Sequence, residues 1–305
     1  MAFRVAVGNV RPAMNLLLLA LVPACFALNP VIGRAMSGAF GPASLSLTRW
    51  ALSGLIIASV ALMNGRTERW KATIGHYGLM MVLGAFSMGF CAYAAFAAAH
   101  TTSATNIGLI YACVTPLVAI SETVAARRLP TWPLVAGVLA CLTGVALILT
   151  RGYPGALFSL SFTRGDLWAA AGCVVFSGYT IALRRMPPIL TSLPQFCVMS
   201  VGASLALAPV AAAEMAAAGI PAITAATLPW LAALVFVAGI GAYLGYNLSL
   251  ARNGPMLTAA TNTLVPIYAA TLAMGLIGEQ LAWYHGAALA LVVGGLLLIN
   301  RGQAR

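Results

Sequence analysis

The chain has 305 residues, 62% of them hydrophobic and only 7% charged, with a formal charge of +11 and a mean hydropathy of +0.97. A soluble globular protein needs roughly a quarter of its residues charged to cover its surface. The composition therefore excludes a soluble enzyme, a secreted disulfide scaffold and a disordered chain, and leaves a polytopic membrane protein.

A bilayer core about 30 Å thick takes ~20 mostly apolar residues per helix. Read in chain order, spans are expected over residues 14–34, 43–63, 77–99, 104–124, 132–150, 166–183, 192–212, 229–250, 257–277 and 283–300. The runs are apolar all round rather than alternating, which favours helices over a β-barrel. The expected fold class is an all-α polytopic membrane protein with ten transmembrane helices. Arg4 and Arg11 ahead of the first run outline a signal peptide, but nine further spans follow, so the first run is read as an uncleaved helix.

A charge of +11 in a soluble chain would raise nucleic acid as a partner. With ten spans, however, Arg4, Arg11, Arg66, Arg69, Lys71, Arg127, Arg128, Arg184, Arg185, Arg252, Arg301 and Arg305 fall on one side, and only Arg34, Arg49, Arg151 and Arg164 on the other. The positive-inside rule then puts both termini in the cytoplasm of a cell inner membrane, and nucleic acid is not needed to explain the charge. Cys25, Cys91, Cys113, Cys141, Cys173 and Cys197 each sit singly inside an apolar run, without the spacing of a metal site, and are read as small packing residues. No metal and no cofactor are expected.

Shifting the chain by 150 residues lays residues 92–152 over 242–302 without a gap. Ala92 and Tyr93 fall on Ala242 and Tyr243, Pro116 on Pro266, Ala119 on Ala269, Gly144 on Gly294, and Arg151 with Gly152 on Arg301 with Gly302. Five spans repeat as five, so the expected domains are residues 1–152 and 153–305. Because five is odd, the halves insert with opposite orientation: the basic loop that holds Arg127 and Arg128 corresponds to one that holds Gly278 and Glu279. Inverted repeats of this kind are a signature of secondary transporters, whose site lies near midplane between the halves.

Two aromatic stripes line up under the same shift: Phe86, Gly89, Phe90, Tyr93 and Phe96 in the third span, and Phe236, Gly239, Ile240, Tyr243 and Tyr246 in the eighth. Aromatic walls suit an apolar or amphipathic solute. Phe90, Tyr93, Phe96, Tyr243 and Tyr246 are the candidates, with Phe86 and Phe236 read as packing residues. Polar groups inside spans need partners, and Asn29, Asn106, Tyr111, Tyr179, Asn247 and Asn262 complete the candidate solute site. Thr258 is polar too. Amides and hydroxyls can serve both ends of a zwitterion without fixed charge.

Pro30, Pro116 and Pro266 each free a backbone carbonyl in the preceding turn. With Gly89 and Gly239 they are the candidate gates and hinges. Arg49 and Glu122 lie ~20 Å apart in level and cannot pair; Arg49 is expected to meet Asp166 or Glu279, and Glu122 to meet Arg127 or Arg128. No phosphate-binding loop precedes the only lysine, and no catalytic Ser/His, paired Asp or H-E-x-x-H occurs in the spans, so neither ATP-driven transport nor an intramembrane enzyme is expected. A small channel is the remaining alternative to a carrier.

The residues resemble the drug/metabolite transporter superfamily, specifically its EamA family. The matching features are Asn29-Pro30, the run Leu47-Thr48-Arg49-Trp50-Ala51-Leu52, Thr115-Pro116-Leu117, Val265-Pro266 followed by Gly278-Glu279, and the ending Gly294-Gly295-Leu296-Leu297-Leu298-Ile299. The resemblance covers almost the whole chain and implies a ten-helix carrier of small solutes. Within the family the chain looks most like the YddG-type amino-acid exporters of bacterial inner membranes. That implies export of amino acids, aromatic and other neutral ones favoured, with another small metabolite or a drug-like cation as the alternative cargo. Two departures stand out: Leu129 occupies the place of Glu279 in the first copy, and Arg49 has no counterpart in the seventh span.

Overall fold

The computed structural model describes residues 12–63, 74–125, 127, 129–153, 163–185 and 192–303. Of the basic residues used for sidedness, Arg4, Arg11, Arg66, Arg69, Lys71, Arg128 and Arg305 lie outside that set.

Ten helical segments follow one another: α1 Pro12–Met36, α2 Pro42–Met63, α3 Tyr77–Ala99, α4 Ala104–Ala125, α5 Trp132–Leu149, α6 Arg164–Arg185, α7 Ser192–Ala218, α8 Leu228–Ser249, α9 Asn262–Ile277 and α10 Trp283–Gln303. Among the described residues eight are long and apolar enough to cross a bilayer. The other two are α6, with Arg164, Asp166, Arg184 and Arg185 at its ends, and the shorter α9. The chain is a multi-pass helical membrane protein. Below, the end of the bundle where α1 stops and α2 starts is called distal, and the opposite end terminal.

Between α8 and α9 the helical run continues from Ala242 to Thr261, yet the hydroxyls of Ser249 and Thr258 lie 3.0 Å apart. Nine residues of straight helix would separate them by ~13 Å. The chain therefore turns back between these two residues, where the sequence places a loop.

The helix ends have local causes. Thr163 and Asp166 form a reciprocal box at the start of α6, the Asp166 N–H donating to Thr163 Oγ1 (3.1 Å) and the Thr163 N–H to Asp166 Oδ2 (3.1 Å). Ser103 caps α4 by accepting from the Asn106 N–H (3.0 Å). Gly278 stops α9 at a φ of 67°, a conformation that costs a residue with a Cβ.

The three predicted prolines act differently. Pro116 has no N–H for the carbonyl of Ala112, and its ring crowds that carbonyl; α4 breaks between Tyr111 and Val114. Pro266 stands in the same relation to Asn262, where Asn262–Leu264 tightens into a 3₁₀ turn. Pro30 frees the carbonyl of Phe26, but the Asn29 amide donates to that oxygen (3.0 Å), and α1 runs through unbroken.

Apolar side chains point both ways, as a bilayer requires. Leu16, Leu55, Leu62, Val174, Leu205, Phe86 and Phe236 are exposed to the surroundings. Inside, one cluster joins α1, α2, α3, α7 and α8 through Ile32, Trp50, Phe96, Phe196, Met199 and Leu234. A second joins α4, α5, α6 and α10 through Ile107, Leu109, Cys141, Cys173, Val292 and Ile299. Small residues bring the backbones together: a Cβ on Gly137 of α5 would stand 2.6 Å from the Gly295 carbonyl of α10, and one on Gly295 would stand 2.6 Å from the Gly137 carbonyl. Five of the six cysteines are buried and Cys25 is half-buried; all six are free thiols.

Candidate functional site

The predicted aromatic stripes find partners on other helices. On α3, Tyr93 meets the Trp168 ring of α6 edge-on at 5.3 Å, and Phe90 lies 6.3 Å from the same ring. On α8, Tyr243 lies 4.6 Å from Phe196 of α7, and Tyr246 meets Phe26 of α1 at 6.0 Å. Tyr179 stacks obliquely on Phe176 one turn before it in α6 (5.7 Å). Tyr93, Tyr179 and Tyr243 each pack, partly buried, against the first cluster, which spans five helices. Trp168 was missed. Its signal was present, since Trp168, Phe176 and Tyr179 are spaced to share one helix face.

Other predicted residues are placed elsewhere or already engaged. Phe96 is 1% exposed and packs on Gly33 of α1, within the core. The Tyr111 hydroxyl donates to the Cys91 carbonyl (2.9 Å) and belongs to the second cluster. Asn247 donates to the Tyr243 carbonyl in its own helix (2.9 Å). Asn106 lies near the distal end and donates to Thr102 Oγ1 (3.2 Å). Asn262 sits in the 3₁₀ turn before Pro266. The side-chain carbonyl oxygens of Asn29, Asn106 and Asn262 are buried without a partner among the described residues. Each is an acceptor short of a donor, and a buried group in that condition is costly.

Gly89 and Gly239 lie in the least regular parts of the long helices. α3 widens into a π-helix over Ala85–Phe90 and α8 over Ala233–Gly241, and the 150-residue shift superposes the two segments. A Cβ on Gly239 would stand 2.6 Å from Ser53 Oγ of α2, and one on Gly89 3.4 Å from the backbone of Ala203 in α7. Ser53 and Ala203 are themselves 150 residues apart. A methyl group at position 239 would displace the Ser53 hydroxyl of α2.

Arg49 does not reach Asp166 or Glu279. Its Nη2 donates to the Ala238 carbonyl in the α8 π-segment (2.8 Å), and its guanidinium lies 4.1 Å over the Trp50 ring. The reason is competition, because both carboxylates are used by backbone and hydroxyl donors at the distal end. Glu279 accepts from the N–H groups of Ala104 (2.9 Å) and Thr105 (3.1 Å) and from the Thr105 hydroxyl (2.6 Å), closing the start of α4. Asp166 accepts from Thr102 Oγ1 (2.7 Å).

Two further ties complete that end. Glu214 of α7 accepts from the N–H groups of Ala43 and Ser44 (2.9 Å each) and from the Ser44 hydroxyl (3.0 Å) at the start of α2. Arg34 of α1 donates to the carbonyls of Ala99 (2.8 Å) and His100 (3.3 Å) where α3 ends. Carboxylates at helix starts and a cation at a helix end are the arrangement the helix dipole favours. A polar recess of about 260 Å³ lies among these ties, walled by Arg34, Thr102, Asn106, Arg151, Asp166 and His285. The His100 imidazole is held below its ordinary value by burial; Glu214 opposes that shift and Arg34 adds to it.

A many-helix membrane bundle with equivalently placed irregularities in two halves defines a polytopic membrane protein built on a repeat. The chain belongs to the EamA-like transporter family, whose profile matches twice, over residues 13–150 and 163–301. A crystal structure of a protein 19% identical superposes with a TM-score of 0.61 over 94% of this chain and 99% of its own, a likeness that shows the fold alone. No curated protein matches the chain.

Proposed function

We propose that the chain is a secondary carrier that exports amino acids, aromatic and other neutral ones favoured, across a cell inner membrane by alternating access. In this reading it forms ten spans as two oppositely inserted five-helix repeats, 1–152 and 153–305, with both termini cytoplasmic. The observation that carries the reading is the pairing of breaks: π-segments at Ala85–Phe90 and Ala233–Gly241, and interruptions before Pro116 and Pro266, at positions 150 residues apart. Paired discontinuities in corresponding helices mark the places where transporters bind solute and bend.

The solute lies between α3, α6 and α8, against Phe90, Tyr93, Tyr179, Tyr243 and Tyr246. Asn29 and Asn262 offer acceptors for an ammonium group once the helices part. Pro116, Pro266, Gly89 and Gly239 carry the bending, and Pro30 contributes by keeping Asn29 in place. The distal ties are the closed gate of this conformation. Movement is driven by the solute gradient, and the bilayer and the solute are the only partners the reading needs.

Counterflow of labelled amino acids into liposomes holding the purified protein tests it. Saturable, stereoselective exchange is expected, and Tyr93→Ala, Tyr243→Ala and Asn262→Ala are expected to impair it without reducing insertion into membranes. Exchange of another metabolite with no amino acid moved would overturn the cargo. Normal exchange in all three variants would show these side chains to be packing residues.

A further inference from the structure

The family match and the transport reading leave one buried cluster unused. Arg49 and Trp50 are neighbours on α2, 7% and 6% exposed. Trp50 Nε1–H donates to the Met88 carbonyl in the α3 π-segment (2.7 Å), and Arg49 donates to the Ala238 carbonyl in the α8 π-segment (2.8 Å). Met88 and Ala238 are 150 residues apart, so adjacent residues of one helix hold the same carbonyl of both repeats. One turn further on, Ser53 Oγ donates to the Val235 carbonyl of α8 (3.2 Å). The equivalent helix α7 carries Met199 and Ser200 at the corresponding positions, and Ser200 Oγ lies 4.0 Å from Met88 Sδ. The two firm bonds both come from α2.

A π-segment shifts the backbone bonds by one residue and leaves a carbonyl without its regular partner four residues on; in α3 the Cys91 N–H passes over Ser87 and reaches Met88 and Phe86, so Trp50 shares the Met88 oxygen with the backbone. In α8 the Ala242 N–H reaches the carbonyls of Gly239 and Val237 and passes over Ala238, whose oxygen Arg49 takes. Holding a guanidinium in the apolar interior is expensive, and its Nε has no partner among the described residues. Leucine would fill that space at less cost, so the position is spent on the bond and on the stack over Trp50. Because the donors sit on one rigid helix and stack on each other, a displacement of α2 that releases one carbonyl shifts the other donor too.

We infer that Arg49 and Trp50 are positioning residues that couple the two π-segments, so that α3 and α8 rearrange together. The inference rests on the alternating-access reading, for which this pair supplies the link between the repeats.

Hydrogen–deuterium exchange of the full chain in phosphatidylethanolamine/phosphatidylglycerol nanodiscs tests it with no solute present. Trp50→Phe keeps a ring, removes the bond to Met88 and reduces the indole's contacts with Arg49 and Phe196. Amides of Ala85–Phe90 and, remotely, of Ala233–Gly241 are expected to lose about tenfold in protection, the scale of one buried hydrogen bond. Arg49→Met is expected to loosen Ala85–Phe90 as well as its own contact in α8. Loosening confined to the segment that lost its bond, or no loosening in either, would overturn the coupling. If Arg49→Met does not assemble, the remote response to Trp50→Phe decides alone. Liposome exchange is a separate measurement, so lost coupling with intact amino-acid exchange removes this inference and leaves the transport reading in place.

Discussion

The two ends of the bundle are fastened by different means. At the distal end Glu214 and Glu279 cap the helices α2 and α4, Asp166 holds Thr102, and Arg34 closes α3. At the terminal end the equivalent of Glu279 is Leu129, 91% exposed, and the equivalent of Glu214 is Asn64, outside the described residues. The copies therefore agree in where their helices break and differ in charge. Shape follows from proline and glycine positions common to both halves, whereas the carboxylates that lock one end occur in one half only.

The largest effect is expected from breaking the tied end. Glu279→Ala removes a charged acceptor from two N–H groups and one hydroxyl, a loss of about 2–3 kcal/mol by the usual worth of caps and charge-assisted bonds. Thermal unfolding in detergent reads it. Glu214→Ala is expected to cost somewhat less, its hydroxyl contact being 3.0 Å rather than 2.6 Å. The carboxylates serve different helices, so the double variant should equal the sum within about 0.5 kcal/mol. A double no worse than Glu279→Ala would instead make the distal end one cooperative lock.

The converse substitution gives the terminal end an acid at the position equivalent to Glu279. Leu129→Glu places a carboxylate on an exposed residue and is expected to change stability by less than about 0.5 kcal/mol. Stabilisation beyond about 1 kcal/mol in the same unfolding assay would mean that a helix start lies within its reach and that the ends are more alike than Leu129 suggests.

What the sequence made legible divides along the same line. The bundle and the breaks at Pro116 and Pro266 were readable because a missing N–H and a crowded carbonyl are local facts. Asn29 was read as a solute-site residue, whereas its amide donates to the Phe26 carbonyl that Pro30 frees, so part of its polarity is used within its own helix. The π-segments were not legible, because their donors are on a helix 38 and 189 residues distant in sequence. Arg49 was assigned a carboxylate because charge pairing considers side chains alone, while the acids were taken by backbone N–H groups. In the aromatic site the stripes of α3 and α8 were found from their repeat, but Trp168, which meets two of their rings, stands on a helix with no aligned partner stripe.

The smallest effect distinguishes the tied end by pH. His100 follows α3, gives its carbonyl to Arg34, and has its imidazole value lowered chiefly by burial. A base lowered in the folded state binds its proton more readily when unfolded, so stability rises with pH wherever the unfolded chain carries the extra proton. That window runs from the lowered value up to the ordinary one of about 6.5; above it the contribution is complete, and below it the folded chain is penalised in full. Because the His100 side chain is exposed to solvent, the slope is expected to be shallow. Unfolding followed from acid to neutral pH should show it in the parent chain, and His100→Gln should flatten it. If the slope survives that substitution undiminished, the proton is taken up elsewhere, and His285, which walls the recess among the same ties, is the next group to replace.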